Sequence, residues 1–356
     1  MSLMLRNSII FTFTTLLVFL AGGDALTADE LPEAPDKTFS IVVMPDTQHY
    51  KGIDTKGNSD SKDPLSNKVF TGWTNWVANN LDRQRVVFVS HVGDIVDKNN
   101  KEQWALAREC MDKNHGKVPY GISVGNHDMA GGTGDSSLFQ EVFPKAHFEA
   151  FDWYAGCYDS PTGKSAVSGN NANSVQLFEA GGMKFVTLHL ECNAPDDVLA
   201  WADAILEKYS DRRAMITSHM GLGPLEKPKK PSDYFDTPKG RMKWKKCHGK
   251  RGNTPQQMWE KCFSNHKNVF MVISGDQSRT QAFKQKVLGS QGNTVHELVS
   301  DYGANGLRVM RFIPAENKIE VRTWDPLKGQ LCEKTSIVPD RDQHQFTLEY
   351  KMSSDK

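Results

Sequence analysis

A short apolar segment that ends in two carboxylates constrains the fold of this chain most. Residues 85–90 are rich in β-branched and aromatic side chains, a pattern typical of a strand that is covered on both faces. The pattern breaks at Gly93, and Asp94 and Asp97 follow directly. Ligands of open α/β sheets bind outside the carboxyl ends of the strands. We therefore predict that these carboxylates reach a binding site.

Three further strand-like segments end in side chains that can bind a metal ion. They cover residues 39–44, 118–124 and 214–217, and the polar residues that follow them are, in chain order, Asp46 and Gln48, then Asn126, His127 and Asp128, and then His219. A later apolar segment, residues 269–273, is followed by Gly275 and Asp276. Because carboxylates, amides and imidazoles recur at strand ends, we predict one metal site assembled from several strands.

The order of the predicted elements indicates an α/β fold with a parallel sheet. Strand, helix, strand, helix and strand follow one another over residues 39–124. The predicted helices cover residues 69–81, 101–113, 196–209 and 255–265, and the later strands cover 174–179, 184–190, 213–217, 269–273, 295–300, 306–313, 318–324 and 345–350. Residues 129–172 predict a long irregular loop over the site.

A basic segment follows His219 in the chain. Residues 225–251 contain ten Lys or Arg, three acidic residues and three prolines. On charge alone this segment fits a solvated surface insertion as well as a substrate-binding one. Its position directly after His219 favours a basic rim near the predicted metal site.

Composition excludes two classes of protein. With 356 residues, of which 38% are hydrophobic, the chain can bury a large core, and disorder is not expected. The 43 basic and 43 acidic residues balance, so nothing in the overall charge attracts nucleic acid or an anionic membrane. We expect no nucleic-acid partner, and the oligomeric state is left open.

The amino terminus has the pattern of an export signal. Arg6 precedes an apolar run over residues 9–20, and small residues follow as far as Ala25. A run of this length is shorter than the ~20 residues that a membrane-spanning helix requires. We predict a cleaved signal peptide over residues 1–25, a lead-in over 26–38, and a mature protein without a membrane span in the periplasm or outside the cell.

Six cysteines lie in the predicted mature chain. An even number of cysteines in an oxidising compartment favours disulfides, and no Cys-x-x-Cys pair points to a zinc site. We expect few free thiols and take the local pair Cys247 and Cys262 as a candidate disulfide.

Taken together, the motifs Asp46-x-Gln48, Gly93-Asp94-x-x-Asp97, Gly125-Asn126-His127-Asp128, Ser218-His219 and Gly275-Asp276-x-Ser278 resemble those of the calcineurin-like metallophosphoesterase family. The resemblance spans residues 39–325, which we predict to be one domain with the basic insertion 225–251. It implies a four-layer α/β/β/α sandwich of two mixed sheets. Residues 326–356 are expected to add a strand and a tail to the same domain.

The resemblance also implies roles for individual residues. Two divalent ions would be bridged by Asp94, and the remaining ligands would be Asp46 and Gln48 for the first ion and Asn126, His219 and Asp276 for the second. His127 would be the acid that protonates the leaving alcohol, or would otherwise steady the phosphoryl group. Asp97 and Asp128 would orient the loop and His127.

Three positions depart from the family pattern. Gln48 stands where the family usually has a histidine, and Asp276 and Ser278 stand at the two histidines of the family's Gly-His-x-His motif. Asp276 can replace its histidine as an oxygen ligand, but Ser278 is a poor substitute for the other. The first ion therefore loses two imidazole ligands, and we expect it to exchange more easily than the second. Oxygen-rich ligands favour Mn or Fe, with Zn or Mg as further candidates.

The predicted function is hydrolysis of phosphomonoesters or phosphodiesters by attack of metal-bound hydroxide, which two adjacent cations generate at neutral pH. The main alternative is a catalytically weak metal- or anion-binding protein that keeps the fold, because two histidine ligands are lost. His127 favours an enzyme, since a binding protein needs no acid beside the metals. We expect a small or moderate phosphorylated substrate. A nuclease is not favoured by the neutral overall charge, and a Ser-His-Asp hydrolase is not expected either.

Overall fold

The computed structural model of the protein describes residues 31–58, 60–160 and 167–352. The predicted signal peptide and the first part of the lead-in lie outside these ranges. Within them the strands are β1 (Phe39–Met44), β2 (Val86–His91), β3 (Tyr120–Ile122), β4 (Tyr154–Cys157), β5 (Ser174–Ala180), β6 (Met183–Leu190), β7 (Arg213–Ser218), β8 (Leu222–Pro224), β9 (Lys239–Arg241), β10 (Val269–Ser274), β11 (Ala282–Leu288), β12 (Thr294–Ser300), β13 (Leu307–Ile313), β14 (Lys318–Asp325), β15 (Gln330–Leu331) and β16 (Gln345–Glu349). The helices are α1 (Lys68–Asn79), α2 (Lys101–Met111), α3 (Ser137–Val142), α4 (Lys145–Phe148), α5 (Asp196–Lys208), α6 (Asp233–Asp236) and α7 (Pro255–Lys261).

The strands form two mixed sheets. The first has the order β15-β14-β13-β1-β2-β3, with β16 paired to β14. Strands β1, β2 and β3 are parallel, and β13 pairs antiparallel with β1. The second sheet has the order β11-β12-β10-β7-β6-β5-β4, in which β6, β7, β10 and β12 are parallel. Strands β8 and β9 form a separate short hairpin.

Alternate side chains of β1 serve two different cores. Ile41 and Val43 belong to a cluster between the sheets that includes Phe185 of the second sheet. Val42 belongs instead to the cluster that packs α1 and α2 onto the first sheet, where Trp73 is fully buried. Truncating such a tryptophan to alanine typically costs about 3–5 kcal/mol of stability.

The second sheet is covered on its outer face in the same way. Helices α5 and α7 contribute Val198, Leu206 and Met258 to a cluster with Val186 of β6 and Ile216 of β7. The layers are therefore helix, sheet, sheet and helix. This confirms the predicted four-layer α/β/β/α fold.

Residues 129–172 are more regular than their composition predicts. The described part of this segment contains α3, α4 and β4, and β4 pairs antiparallel with β5 at the edge of the second sheet. Phe139, Phe143 and Phe148 are buried in the core beside α2. The prediction of an irregular loop was wrong here because these elements are short and depend on tertiary burial of their aromatic side chains rather than on a periodic pattern.

The predicted disulfide between Cys247 and Cys262 is absent. All six cysteines lie in the described ranges, and all are free thiols. Cys262 packs in the cluster under α5 and α7, whereas Cys247 lies in the other helical layer beside Cys192. The two residues are therefore separated by the fold, although they are close in the sequence. None of the helices in the described part of the chain is long and apolar enough to span a bilayer.

Candidate metal centre

The predicted ligands come together at the carboxyl ends of strands from both sheets. Asp46 follows β1, Asp94 follows β2, His219 directly follows β7, and Asp276 follows β10. All four side chains are buried. The backbone amide of Asp276 donates to Asp46 Oδ2 over 3.3 Å, which joins the ends of the two sheets at the site.

The loops that carry these residues depend on glycine. A β-carbon on Gly125 would lie 2.1 Å from Asp94 Oδ1, and one on Gly275 would lie 2.2 Å from Asp46 Oδ1. Asp94 and Asp276 themselves have φ of 49° and 67°, in the left-handed region that non-glycine residues rarely adopt. Such strain concentrates at functional sites, where the surrounding structure enforces it.

His219 presents one ring nitrogen to the carboxylates. Its Nδ1 lies 3.0 Å from the backbone oxygen of Val92, to which it can only donate. This contact assigns the proton to Nδ1 and leaves the lone pair of Nε2 free. Nε2 lies 3.2 Å from Asp94 Oδ1 and 3.5 Å from Asp276 Oδ1, so the imidazole can share a cation with either carboxylate.

Several atoms of this cluster need a cation. One oxygen each of Asp46 and Asp94 and one nitrogen of His219 lie within 4.8 Å of one another. Asp46 Oδ1 and His219 Nε2 are buried without a hydrogen-bond partner in the described part of the chain. Burial, and then the nearby carboxylate of Asp301, raise the pKa of Asp46 well above its usual value. Crowded carboxylates with unsatisfied buried atoms fit a divalent metal ion.

Asn126 also faces the cluster. Its amide nitrogen donates to Asp276 Oδ1 over 2.7 Å, and its amide oxygen accepts from the backbone amide of His127 over 3.3 Å. Asn126 therefore binds directly to Asp276, and its role as a ligand of the second ion stays a prediction.

Gln48 is near the site but shows the other end of its amide. Its Nε2 donates to Asp94 Oδ2 over 3.3 Å. To bind a metal it would have to present its oxygen, which a half-turn of the amide achieves. Its role as a ligand of the first ion stays a prediction.

His127 lies beside the predicted bridging carboxylate. Its backbone amide donates to Asp94 Oδ1 over 2.8 Å, and its Nε2 lies 3.9 Å from Asp94 Oδ2. Its Nδ1 lies 2.9 Å from the backbone oxygen of Asp97 and 2.7 Å from Lys56 Nζ. Lys56 Nζ also lies 3.4 Å from Nε2, the ring nitrogen that faces Asp94.

Asp128 holds the loops together. Its Oδ1 accepts from the amides of Ile95 and Val96 at 2.9 and 3.1 Å, and its Oδ2 accepts from Gly125 at 2.8 Å. These bonds have the orienting role that was predicted for Asp128. The carboxylate of Asp97 instead accepts from the amide of Lys56, so Asp97 reaches His127 through its backbone oxygen.

A cavity of about 190 Å³ opens above these residues. Its lining consists of polar side chains, namely Gln48, Asp94, His127, Tyr234, Lys246, Asp276, Gln277, Ser278, Arg279 and Asp301. A larger and more open cleft of about 820 Å³ lies elsewhere and includes none of the predicted ligands. The chemistry therefore belongs to the smaller cavity.

Sequence reasoning missed three charged residues of this site. Asp301 follows the end of β12, which is parallel to β10, so the strand-end rule applied once more would have found it. Lys56 and Lys246 lie in irregular segments, and only the basic composition of residues 225–251 pointed to Lys246. Burial alone would lower the pKa of Lys246, but the carboxylate of Asp276 outweighs it and raises the pKa.

Three comparisons place this chain among known proteins. The YvnB protein of Bacillus subtilis (strain 168), described as uncharacterized, is 25% identical over 343 residues, and the match covers 92% of this chain but only 23% of YvnB. A dimetal phosphatase from Danio rerio is 14% identical with a TM-score of 0.50, covering 88% of this chain and 99% of the other. A 5'-nucleotidase precursor from Thermus thermophilus is 13% identical with a TM-score of 0.43, covering 83% and 52%.

The match to the Danio rerio phosphatase shows a shared fold alone, because the sequence identity is 14%. The family assignment comes from the sequence. The model of the calcineurin-like phosphoesterases matches residues 39–246, which is more than half of the chain. The chain therefore belongs to the calcineurin-like phosphoesterase family.

Proposed function

We propose that this protein is an exported, metal-dependent phosphoesterase that hydrolyses phosphomonoesters or phosphodiesters. One observation carries the proposal. Asp46 Oδ1 and His219 Nε2, two buried atoms that can bind a metal, have no hydrogen-bond partner in the described ranges. They lie close to Asp94, beside His127. A cluster that is built for cations and lies beside an acid–base residue suits hydrolysis better than storage of a metal.

The residues present fit two ions that share Asp94. Asp46, Asp94 and Gln48 would hold the first, and Asn126, His219 and Asp276 would hold the second together with Asp94. When bound, such ions neutralise phosphoryl oxygens and lower the pKa of water. Manganese or iron suits the oxygen-rich set best.

The protein side chains supply positioning and proton transfer. Asp94 fixes the loop of His127 through the His127 amide. His127 can then protonate the oxygen of a leaving alcohol from the open side of the cavity. Lys56 adds a positive charge beside the ring, which favours an anionic substrate there.

A metal- or anion-binding protein of weak activity is the second candidate. The observation in its favour is that Gln48 and Ser278 replace imidazoles and that Gln48 turns its amide nitrogen toward Asp94. A nuclease has less support. The cavity of about 190 Å³ is small, and its lining includes one aromatic residue, Tyr234. Binding of single-stranded nucleic acid usually needs several such stacking surfaces.

Metal analysis and a substrate panel test the proposal together. We expect purified protein to retain divalent metal, and we expect it to hydrolyse p-nitrophenyl phosphate or bis-p-nitrophenyl phosphate after loading with Mn²⁺. The matched variants are Asp46→Asn in the cluster and Asp36→Asn, whose side chain is 90% exposed, and only the first should lose metal. Retained metal without turnover of either ester would favour the binding protein, and no metal affinity at all would refute both.

A further inference from the structure

Lys246 places a positive charge among the predicted ligands of the second ion. Its Nζ makes an ion pair with Asp276 Oδ1, and His219 Nε2 lies 3.5 Å from the same oxygen. The amide nitrogen of Asn126 also donates to that oxygen, over 2.7 Å. The lysine thus contacts an atom that we assign to the second metal ion.

The backbone of Lys246 is hydrogen-bonded to the segment that follows β6. The Oδ1 of Asn193 accepts hydrogen bonds from the amides of Lys246 and Cys247, at 2.8 and 3.1 Å. Cys247 contacts Cys192, and His248 Nε2 lies 3.4 Å from Glu191 Oε2 in a fully buried pair. Residues 191–193 therefore contact residues 246–248 and fix the backbone position of Lys246.

This attachment distinguishes Lys246 from the other lysines of the basic insertion. Lys243 is about half exposed and makes one ion pair with Glu226, at 3.8 Å. The side chain of Lys246 is 32% exposed, and its partner Asp276 is 2% exposed. A charge pair in such surroundings is screened much less than a surface pair.

We propose that the Lys246 ammonium competes with the second metal ion for Asp276. A metal ion and an ammonium cannot occupy the same side of Asp276 Oδ1, because the two cations would repel each other at contact distance. The second ion therefore binds only when Lys246 withdraws toward the cavity. The withdrawn ammonium lines that cavity and is available to a phosphoryl oxygen. This inference rests on the proposed metal sites, and it adds a residue that sets how readily the second of them fills.

Metal titration of the full-length mature protein tests the competition. Metal-free wild type, Lys246→Met and Lys246→Gln are titrated with Mn²⁺ by calorimetry, and thermal unfolding confirms that each variant is folded. We expect one of the two Mn²⁺ affinities to rise about tenfold or more in both variants. Lys246→Arg keeps the charge and should not show this gain, and Lys243→Met is the matched control.

A second background identifies which ion gains. In Asp276→Asn the partner of the lysine is neutral, so adding Lys246→Met should change neither affinity by more than about twofold. Unchanged Mn²⁺ affinities in Lys246→Met and Lys246→Gln, with metal still bound, would overturn the competition and leave the phosphoesterase proposal standing. Failure of wild type to bind Mn²⁺ at all would overturn the proposed function, and the inference with it.

Discussion

The backbone amide of His127 donates a hydrogen bond to Asp94 Oδ1 across 2.8 Å. One carboxylate therefore serves both the predicted metal bridge and the loop of the predicted acid. The position of Asp94 has a conformational cost, because its φ is 49°. The pKa of Asp94 is nevertheless low, since the nearby imidazoles and the His127 amide outweigh the effect of burial. An ionised Asp94 is what both roles require.

Replacing Asp94 should remove metal and activity together. We expect Asp94→Ala to lose at least one bound ion and to lower turnover by about 10²–10³-fold or more, the size of losing an electrostatic contact to the reacting charge. Asp97→Asn is a suitable control, because the carboxylate of Asp97 bonds only to the amide of Lys56 among the contacts described. Metal analysis and steady-state kinetics measure both effects. An Asp94→Ala protein with intact metal content and turnover would rule out the bridge.

His127→Ala should slow hydrolysis while the metals remain. General acid catalysis is typically worth ~10²–10⁴-fold, and we expect a loss of that order for esters of ordinary alcohols. The loss should shrink for p-nitrophenyl esters, because a good leaving group needs no proton. A series of leaving groups of increasing pKa measures this dependence. Equal losses across the series would assign His127 to positioning of the phosphoryl group instead.

The fold could be predicted well from local patterns where those patterns were periodic. Strand β1 was predicted at its observed bounds, and helix α1 begins one residue before its predicted start. Asn67 caps α1 by accepting from the amide of Phe70, a local signal of the kind that sequence rules detect. Strand β4 was not predicted because it depends on its tertiary pairing with β5.

The site could be predicted where strand ends carry it and not where loops do. Asp46 and Asp94 follow parallel strands of the first sheet, and His219 and Asp276 follow parallel strands of the second. The rule that ligands bind at the carboxyl ends of parallel strands needs only the sequence pattern. Lys246 lies at the site because residues 191–193 contact residues 246–248. These two segments are distant in the sequence, so no local pattern predicts their contact.

Stability should fall in acid because a histidine is buried uncharged between the sheets. His189 contacts Gln176 Oε1 at 2.8 Å and Ser90 Oγ at 3.0 Å, and burial followed by the nearby His91 lowers its pKa to about 3. The unfolded chain has a histidine pKa of about 6.5, so between pH 6.5 and 3 the unfolded state binds more protons. The contribution of His189 is therefore complete above pH 6.5 and declines as the pH falls.

Urea unfolding at pH 7 and pH 5 measures this effect. The expected loss of unfolding free energy from His189 over that interval is about 2 kcal/mol. His189→Gln keeps a neutral polar group but cannot gain the proton, so its loss between the two pH values should be smaller by that amount. If the two proteins lose stability equally, the acid sensitivity has another source.

Because we propose that the protein is exported, we expect oxidation to link Cys192 to Cys247. Cys192 and Cys247 are buried neighbours, and burial, followed by the contact with Cys247, raises the pKa of Cys192. Because the thiolate is the reactive form, we expect Cys192 to react slowly. Peptide mapping of protein isolated from its native compartment should recover the Cys192–Cys247 pair and should not recover Cys247–Cys262. Six titratable thiols in the denatured protein would contradict both the disulfide and the oxidising compartment.

The replaced imidazoles lead to the last prediction. Gln48 turns its amide nitrogen to Asp94 Oδ2, and Ser278 is exposed at the rim of the cavity, so neither supplies a nitrogen ligand to the first ion. We expect Gln48→His with Ser278→His to tighten one Mn²⁺ site by about tenfold and to move the preference toward Zn or Fe, which imidazole suits.

The same double variant compares the two sites. The sequence predicts that the first ion exchanges more easily, whereas Lys246 is proposed to oppose the second ion at Asp276. If the first site limits loading, dialysed wild type keeps one ion and the double variant keeps two. If Lys246 limits loading, dialysed Lys246→Met keeps two ions and the double histidine variant keeps one. If dialysed wild type retains two ions, neither the missing imidazoles nor the lysine weakens a site. The ligands would then have to be reassigned. Asp301 and Gln277 would be the first candidates, because both line the cavity.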